Sequence, residues 1–265
     1  FRPWNYNPAL WARIRNKWAG AVSMLGAWRM SVFYLKQRRA FGLGPPKLSH
    51  INEIPPSLAQ LTQIPEFFDF PRRSLPDHFH YTGPWLEPVI PGDFPWERLE
   101  GRPFVYASLG TLQNRVMRWY EVIAEACARL DLQLVIGLGR NPDNRIEPAP
   151  MLSTRAIVAR FAPQRALISR AALVITHAGL NSALETLSAG VPMVAVPISH
   201  DQPGVAARLR RLGVGCAIPA AELTGHRLIS AISHVMNTPS FRERARSCAN
   251  LLGPINGPGL AADII

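Results

Sequence analysis

The chain has 265 residues, 48% hydrophobic and 18% charged, enough to bury the core of one large or two ordinary domains. No apolar run reaches the roughly 20 residues that cross a bilayer as a helix, and no segment reads as a cleavable signal. Cys127, Cys216 and Cys248 are too scattered for a disulfide framework or a zinc site. They read as buried thiols of a reducing compartment, which points to the cytoplasm.

The net charge of +11 is concentrated at one end, because the first 52 residues contain no acid and nine Lys or Arg. Among those charges Trp4, Trp11, Trp18, Leu25 and Val32 recur every seven residues. That pattern predicts a long basic amphipathic helix over 8–40. Its apolar face admits two readings: packing against protein outside this chain, or peripheral contact with the anionic inner face of a membrane. Nucleic acid is not an expected partner, since the rest of the chain is nearly charge-balanced and carries no nucleic-acid motif.

From Gly42 to Gly101 the text is dense in proline (GLGPP, NEIPP, EPVIPGDFPW), which forbids long helices and marks loops, short strands and a linker. A regular alternation follows. Strands are predicted at 104–108, 132–138, 155–161, 172–177, 192–198 and 214–218. Helices are predicted at 115–130, 164–169, after Asn181 and over 203–212, with two more closing the series. Short continuous apolar strands alternating with helices imply an α/β fold with a parallel, doubly wound sheet. Three parts are expected: 1–83, 84–102 as an interdomain linker, and 103–265 as the ligand-binding domain.

In such sheets ligands bind beyond the carboxyl ends of the strands. Four loops there carry chemistry. In SLGT, Gly110 lets a backbone come close while Ser108 and Thr111 offer hydroxyls beside a helix start, a cradle suited to phosphate or simply a cap. In FAPQ, Phe161 is a stacking platform for a base, or a core aromatic, followed by Gln164. In THAGLNSALE, Gly179 permits close approach, Asn181 and Ser182 sit at a helix start that favours a diphosphate, and His177 can donate to a departing phosphate oxygen. Glu185, one turn into that helix, can accept from two neighbouring ribose hydroxyls. In HDQ, Asp201 and Gln202 precede a helix and can meet sugar hydroxyls, although an aspartate there could also be a cap.

The set FAPQ (161–164), THAGLNSALE (176–185) and GVPMVAVPISHDQ (190–202) resembles the donor-binding signature of family 1 glycosyltransferases of the GT-B fold. The likeness runs from about Arg38, where RRAFGLGPP is similar to the end of the family's acceptor domain, to the chain end. YASLGTLQNR, DQPGVAAR and the terminal NGPGLAADII are most similar to bacterial carotenoid (zeaxanthin) glucosyltransferases. The resemblance implies that 103–265 is a nucleotide-sugar-binding domain, that residues up to 83 end an acceptor domain, and that the chain is a fragment whose general base lies elsewhere. It implies that Phe161 replaces a base-stacking Trp, that Gln164 and Glu185 hold the ribose, and that His177, Asn181, Ser182 and SLGT hold the diphosphate. Asp201 and Gln202 would bind the sugar. The implied reaction is inverting, metal-independent transfer of glucose from UDP-glucose, a donor substrate and not a cofactor, to a hydroxyl of a lipophilic acceptor. Glu185 favours a ribose with both hydroxyls and so UDP over TDP. Alternatives are a macrolide or other antibiotic glycosyltransferase, and a non-catalytic nucleotide-sugar-binding partner of a split transferase.

Overall fold

A computed structural model describes residues 7, 9–26, 28–44, 59–72, 74–99, 101–110, 116–139 and 156–265. The helix predicted over 8–40 is present as α1 (Leu10–Gly26) and α2 (Trp28–Ala40). Two short parallel strands, β1 (Gln60–Thr62) and β2 (Phe79–Tyr81), lie within the proline-dense stretch.

The predicted alternation folds as β3 (Phe104–Ser108), α3 (Met117–Arg129), β4 (Gln133–Gly137), β5 (Ile157–Ala159), α4 (Gln164–Ile168) and β6 (Leu173–Thr176), followed by α5 (Leu180–Ser188), β7 (Met193–Ala195), α6 (Gln202–Leu212) and β8 (Gly215–Ala217). Three helices close the chain: α7 (Gly225–Asn237), α8 (Pro239–Leu252) and α9 (Gly257–Ile264). The sequence predicts two. The third is short, starts on a glycine and a proline, and is capped by the Asn256 side chain, which accepts from the Gly259 N–H.

All strands of the main sheet are parallel, in the order β5-β4-β3-β6-β7-β8. That order has one topological switch point, between β3 and β6, and the crevice beyond the carboxyl ends of those two strands is where the topology leaves room for a ligand. Every residue of β3, β4 and β6 is buried, as expected of strands covered on both faces. Alternation divides them into two cores. Phe104, Tyr106, Val135 and Val174 pack with Leu167, Leu184, Leu209 and Ala245 on the face covered by α4, α5, α6 and α8. Val105, Ala107, Leu134, Ile136 and Ile175 pack with Ile123, Leu228 and Ile232 on the face covered by α3 and α7.

The segment 59–82 is fastened to α6 through one buried carboxylate. Asp69 Oδ1 accepts from Arg208 Nη2 at 2.6 Å and from the Phe70 N–H at 2.9 Å, and Oδ2 accepts from Arg72 Nε and the Tyr81 hydroxyl, each at 2.8 Å. Burial opposes the charge of Asp69, yet these donors outweigh it and hold its pKa down at about 2. Arg211 adds two bonds, donating to the Phe67 and Asp69 carbonyls at 2.6 Å each.

Candidate functional site

A cleft of about 890 Å³ opens at the switch point, within the size range of small-molecule sites. Residues from the ends of β3, β4 and β6, from the starts of α4 and α5, and from the 87–92 segment line it. Ser108, Gly110, Phe161, Gln164, His177, Gly179, Asn181, Ser182 and Glu185 are all on its wall. Thr111 lies outside the described residues. Asp201 and Gln202 start α6, beyond the lining.

His177 follows β6, and its ring occupies a slot between two glycines. A Cβ on Gly110 would stand 2.7 Å from its Nε2, and one on Gly179 would stand 2.5 Å away. Gly110 also has φ +83°, so it is glycine for two independent reasons. Burial lowers the pKa of His177, with the Ser108 backbone and the Asp201 carboxylate opposing. The ring is therefore neutral at pH 7 and keeps one N–H to donate. Its Nδ1 is shielded from solvent without a hydrogen bond of good geometry. The intervening Ala178 is forced to φ +62°, a strained conformation held by complete burial and by an N–H donated to Thr176 Oγ1 at 3.2 Å.

Helix α5 begins at Gly179 with no side chain capping it. Its first N–H groups and the positive end of its dipole face the cleft wall formed by Asn181 and Ser182, an arrangement suited to an anion. One turn on, Glu185 Oε2 accepts from Gln164 Nε2 at 2.6 Å, and the same amide reaches Ser182 Oγ at 3.3 Å. Burial raises the pKa of Glu185, the Gln164 donor and Arg165 oppose the rise, and Glu87 adds to it. At the mouth, Phe161 is 77% exposed, a bare aromatic face beside the cleft and not a core residue.

The HDQ loop holds its two polar residues in different ways. Asp201 makes no capping bond, so its carboxylate is not spent on α6. Gln202 is buried, and its Oε1 accepts from the N–H groups of Ile198 and Ser199 at 2.8 and 2.9 Å. The carbonyl end of that amide braces the loop.

The family described as "UDP-glucoronosyl and UDP-glucosyl transferase" matches residues 60–252, the stretch that builds this cleft. The chain belongs to that family. A zeaxanthin glucosyltransferase of Pantoea ananas is 34% identical over 227 residues, which cover 84% of this chain and 52% of the relative. One from Pseudescherichia vulneris is 35% identical over 237 residues, covering 87% and 55%. The chain thus spans about half the length of the curated relatives it matches. Among solved structures, the glycosyltransferase of kitacinnamycin superposes with a TM-score of 0.72 at 27% identity, covering 95% of this chain and 65% of that one. A calicheamicin glycosyltransferase superposes with a TM-score of 0.67 at 22% identity, over 88% and 58%. The α/β architecture with its parallel sheet is therefore that of these glycosyltransferases.

Several lining residues of this family member carry no sequence signal. The 87–92 segment, read as linker, supplies Glu87, Pro88, Ile90 and Gly92 to the wall. A Cβ on Gly92 would lie 2.9 Å from Pro163, so this segment runs directly over the FAPQ turn. Gln63, just after β1, donates from Nε2 to Asn181 Oδ1 at 2.8 Å across 118 residues. Tyr106 and Gly137 sit inside strands and read as core, yet both reach the cleft.

Proposed function

We propose that the intact protein transfers a hexose, glucose from UDP-glucose, to a hydroxyl of a lipophilic acceptor such as zeaxanthin, with inversion and without a metal ion. The observation that carries this reading is the junction at Thr176 to Glu185. It places an uncapped helix start, a histidine in a glycine slot and a half-buried carboxylate in one cleft. In this reading the α5 start, Asn181, Ser182 and the Ser108–Gly110 turn hold the diphosphate. Phe161 stacks on the base, and Gln164 and Glu185 take the ribose hydroxyls. His177 donates its N–H to the diphosphate as the glycosidic bond breaks, when negative charge on the leaving UDP grows. Asp201 and the Gln202 amide nitrogen meet the sugar. The base that takes the acceptor proton is assigned to the part of the relatives' length that this chain does not span. The zeaxanthin acceptor rests on the relatives from Pantoea ananas and Pseudescherichia vulneris.

The test is the full-length protein with UDP-glucose and zeaxanthin. A zeaxanthin glucoside formed at the same rate in EDTA is the expected result. Turnover of a macrolide but not of zeaxanthin would move the protein to antibiotic tailoring. Donor binding with no transfer to any acceptor would leave the chain as the nucleotide-sugar-binding partner of a split enzyme. Basic residues on α1 and α2 are exposed beside Trp11, Trp18 and Trp28. Peripheral contact of this region with an anionic membrane is part of the proposal, and no helix among the described residues is long and apolar enough to cross one.

A further inference from the structure

Tyr106 is the largest fully buried side chain of β3, and a residue so placed is ordinarily mere packing. Its hydroxyl, however, crosses to the cleft. Tyr106 Oη donates to Gln164 Oε1 at 3.2 Å, while the other end of the same amide donates to Glu185 Oε2 at 2.6 Å. Gln164 is thus fixed from both sides. Were its amide turned over, its carbonyl oxygen would face the Glu185 carboxylate and its nitrogen would face the tyrosine, two losses at once.

A second, independent feature makes room for this contact. Gly137 on the neighbouring strand β4 has no left-handed backbone to explain it, and glycine weakens a strand. A Cβ there would stand 2.5 Å from Tyr106 Oη and 3.3 Å from Cζ. The missing side chain is the space the hydroxyl occupies. Glu185 lines the cleft, and with Oε2 held by Gln164 its Oε1 is taken by no donor among the described residues.

We propose that Tyr106, seated against Gly137, is a positioning residue that orients the Gln164–Glu185 pair toward a vicinal diol, and so sets the preference for a ribonucleotide over a 2′-deoxyribonucleotide. This rests on the reading of the cleft as a nucleotide-sugar site and extends it to a residue two bonds from the ligand. Burial keeps the phenol protonated well beyond its ordinary range, so the hydroxyl remains a donor across the working pH.

The experiment is calorimetric titration of the full-length protein with UDP and with 2′-deoxy-UDP. The wild type is expected to favour UDP. Tyr106→Phe, which removes one oxygen and leaves the packing, should weaken UDP by about five- to tenfold and 2′-deoxy-UDP by less than about twofold, collapsing the ratio. Gly137→Ala, which displaces the hydroxyl without removing it, should collapse the same ratio. An unchanged ratio in both variants, with either no loss or an equal loss on the two nucleotides, would overturn the proposal and return Tyr106 to the core. Failure of the wild type to bind either nucleotide would instead sink the site reading itself.

Discussion

Helices α5 and α6 follow adjacent strands of one sheet and start side by side above its carboxyl edge, yet they are held in different ways. Helix α6 is fastened from behind by Arg208 and Arg211 on the buried Asp69 and its carbonyl neighbours. It is braced in front by Gln202, which spends its carbonyl oxygen on its own loop. The start of α5 has no capping side chain, a strained Ala178 before it, and side-chain bonds from Gln63 to Asn181 and from Gln164 to Ser182. The lesson is that stability and recognition are divided between neighbours. One helix is anchored so that the other can leave its polar groups unspent for a ligand.

The largest effect should come from cutting the anchor. Asp69→Asn removes a buried charge that accepts five hydrogen bonds, two of them from Arg208, and leaves Arg208 without its counter-charge, at a cost of about 3 kcal/mol of folding stability. Urea denaturation measures it. The same carboxylate gives the sign of the acid response. Its folded pKa of about 2 lies below its ordinary 3.8. The native state therefore binds fewer protons between those values, and the stabilisation is present above pH 4 and lost as pH falls toward 2. The difference between wild type and variant should shrink by about 2 kcal/mol over that interval. A difference that stays flat with pH would show that the anchor is packing and not charge.

Next in size is the recognition side. Glu185→Ala should weaken UDP by about 10- to 100-fold, because hydrogen bonds to a charged group are lost, while the unfolding midpoint hardly moves. Gly179→Ala separates sterics from backbone strain, since Gly179 has an ordinary φ of −61° and its new Cβ would only collide with His177. It should cost UDP affinity about tenfold or more through the displaced ring. If it destabilised the fold and left UDP binding intact, the histidine slot would be structural and the division between the helices would fail.

These two helices also mark what was readable in the residues. The six strands were legible to within a few positions, because continuous β-branched and apolar runs fix a strand covered on both faces. His177, Gly179, Asn181, Ser182 and Glu185 were legible as a cluster, because a polar loop between a buried strand and an amphipathic helix has few structural excuses. Asp69 and Gln63 were not, since their partners lie 139 and 118 residues away and nothing in a proline-rich stretch marks which side chain will face inward. Tyr106 and Gly137 were hidden for the opposite reason, in that a strand interior offers every residue a packing role. The periodic face of α1 was legible as amphipathic, but its Trp11 and Trp18 stay exposed, at 58% and 70%. Periodicity shows that a face is apolar and cannot show what covers it.

The smallest predicted effect tests the tether. Gln63→Ala removes one neutral hydrogen bond at an exposed position, which is worth about 0.5–1.5 kcal/mol at most. Stability should be unchanged within error. If Gln63 holds Asn181 in a ligand-ready orientation, UDP affinity should fall by about two- to fivefold, and Gln63→Glu, which can no longer donate to Asn181 Oδ1 and brings a negative charge toward the diphosphate, should fall further. Equal affinity in all three proteins would mean that α5 does not need the contact from Gln63. The contrast with α6 would then sharpen: one helix is fastened through Arg208 to a buried carboxylate, and the other is held by Gln164 and the sheet.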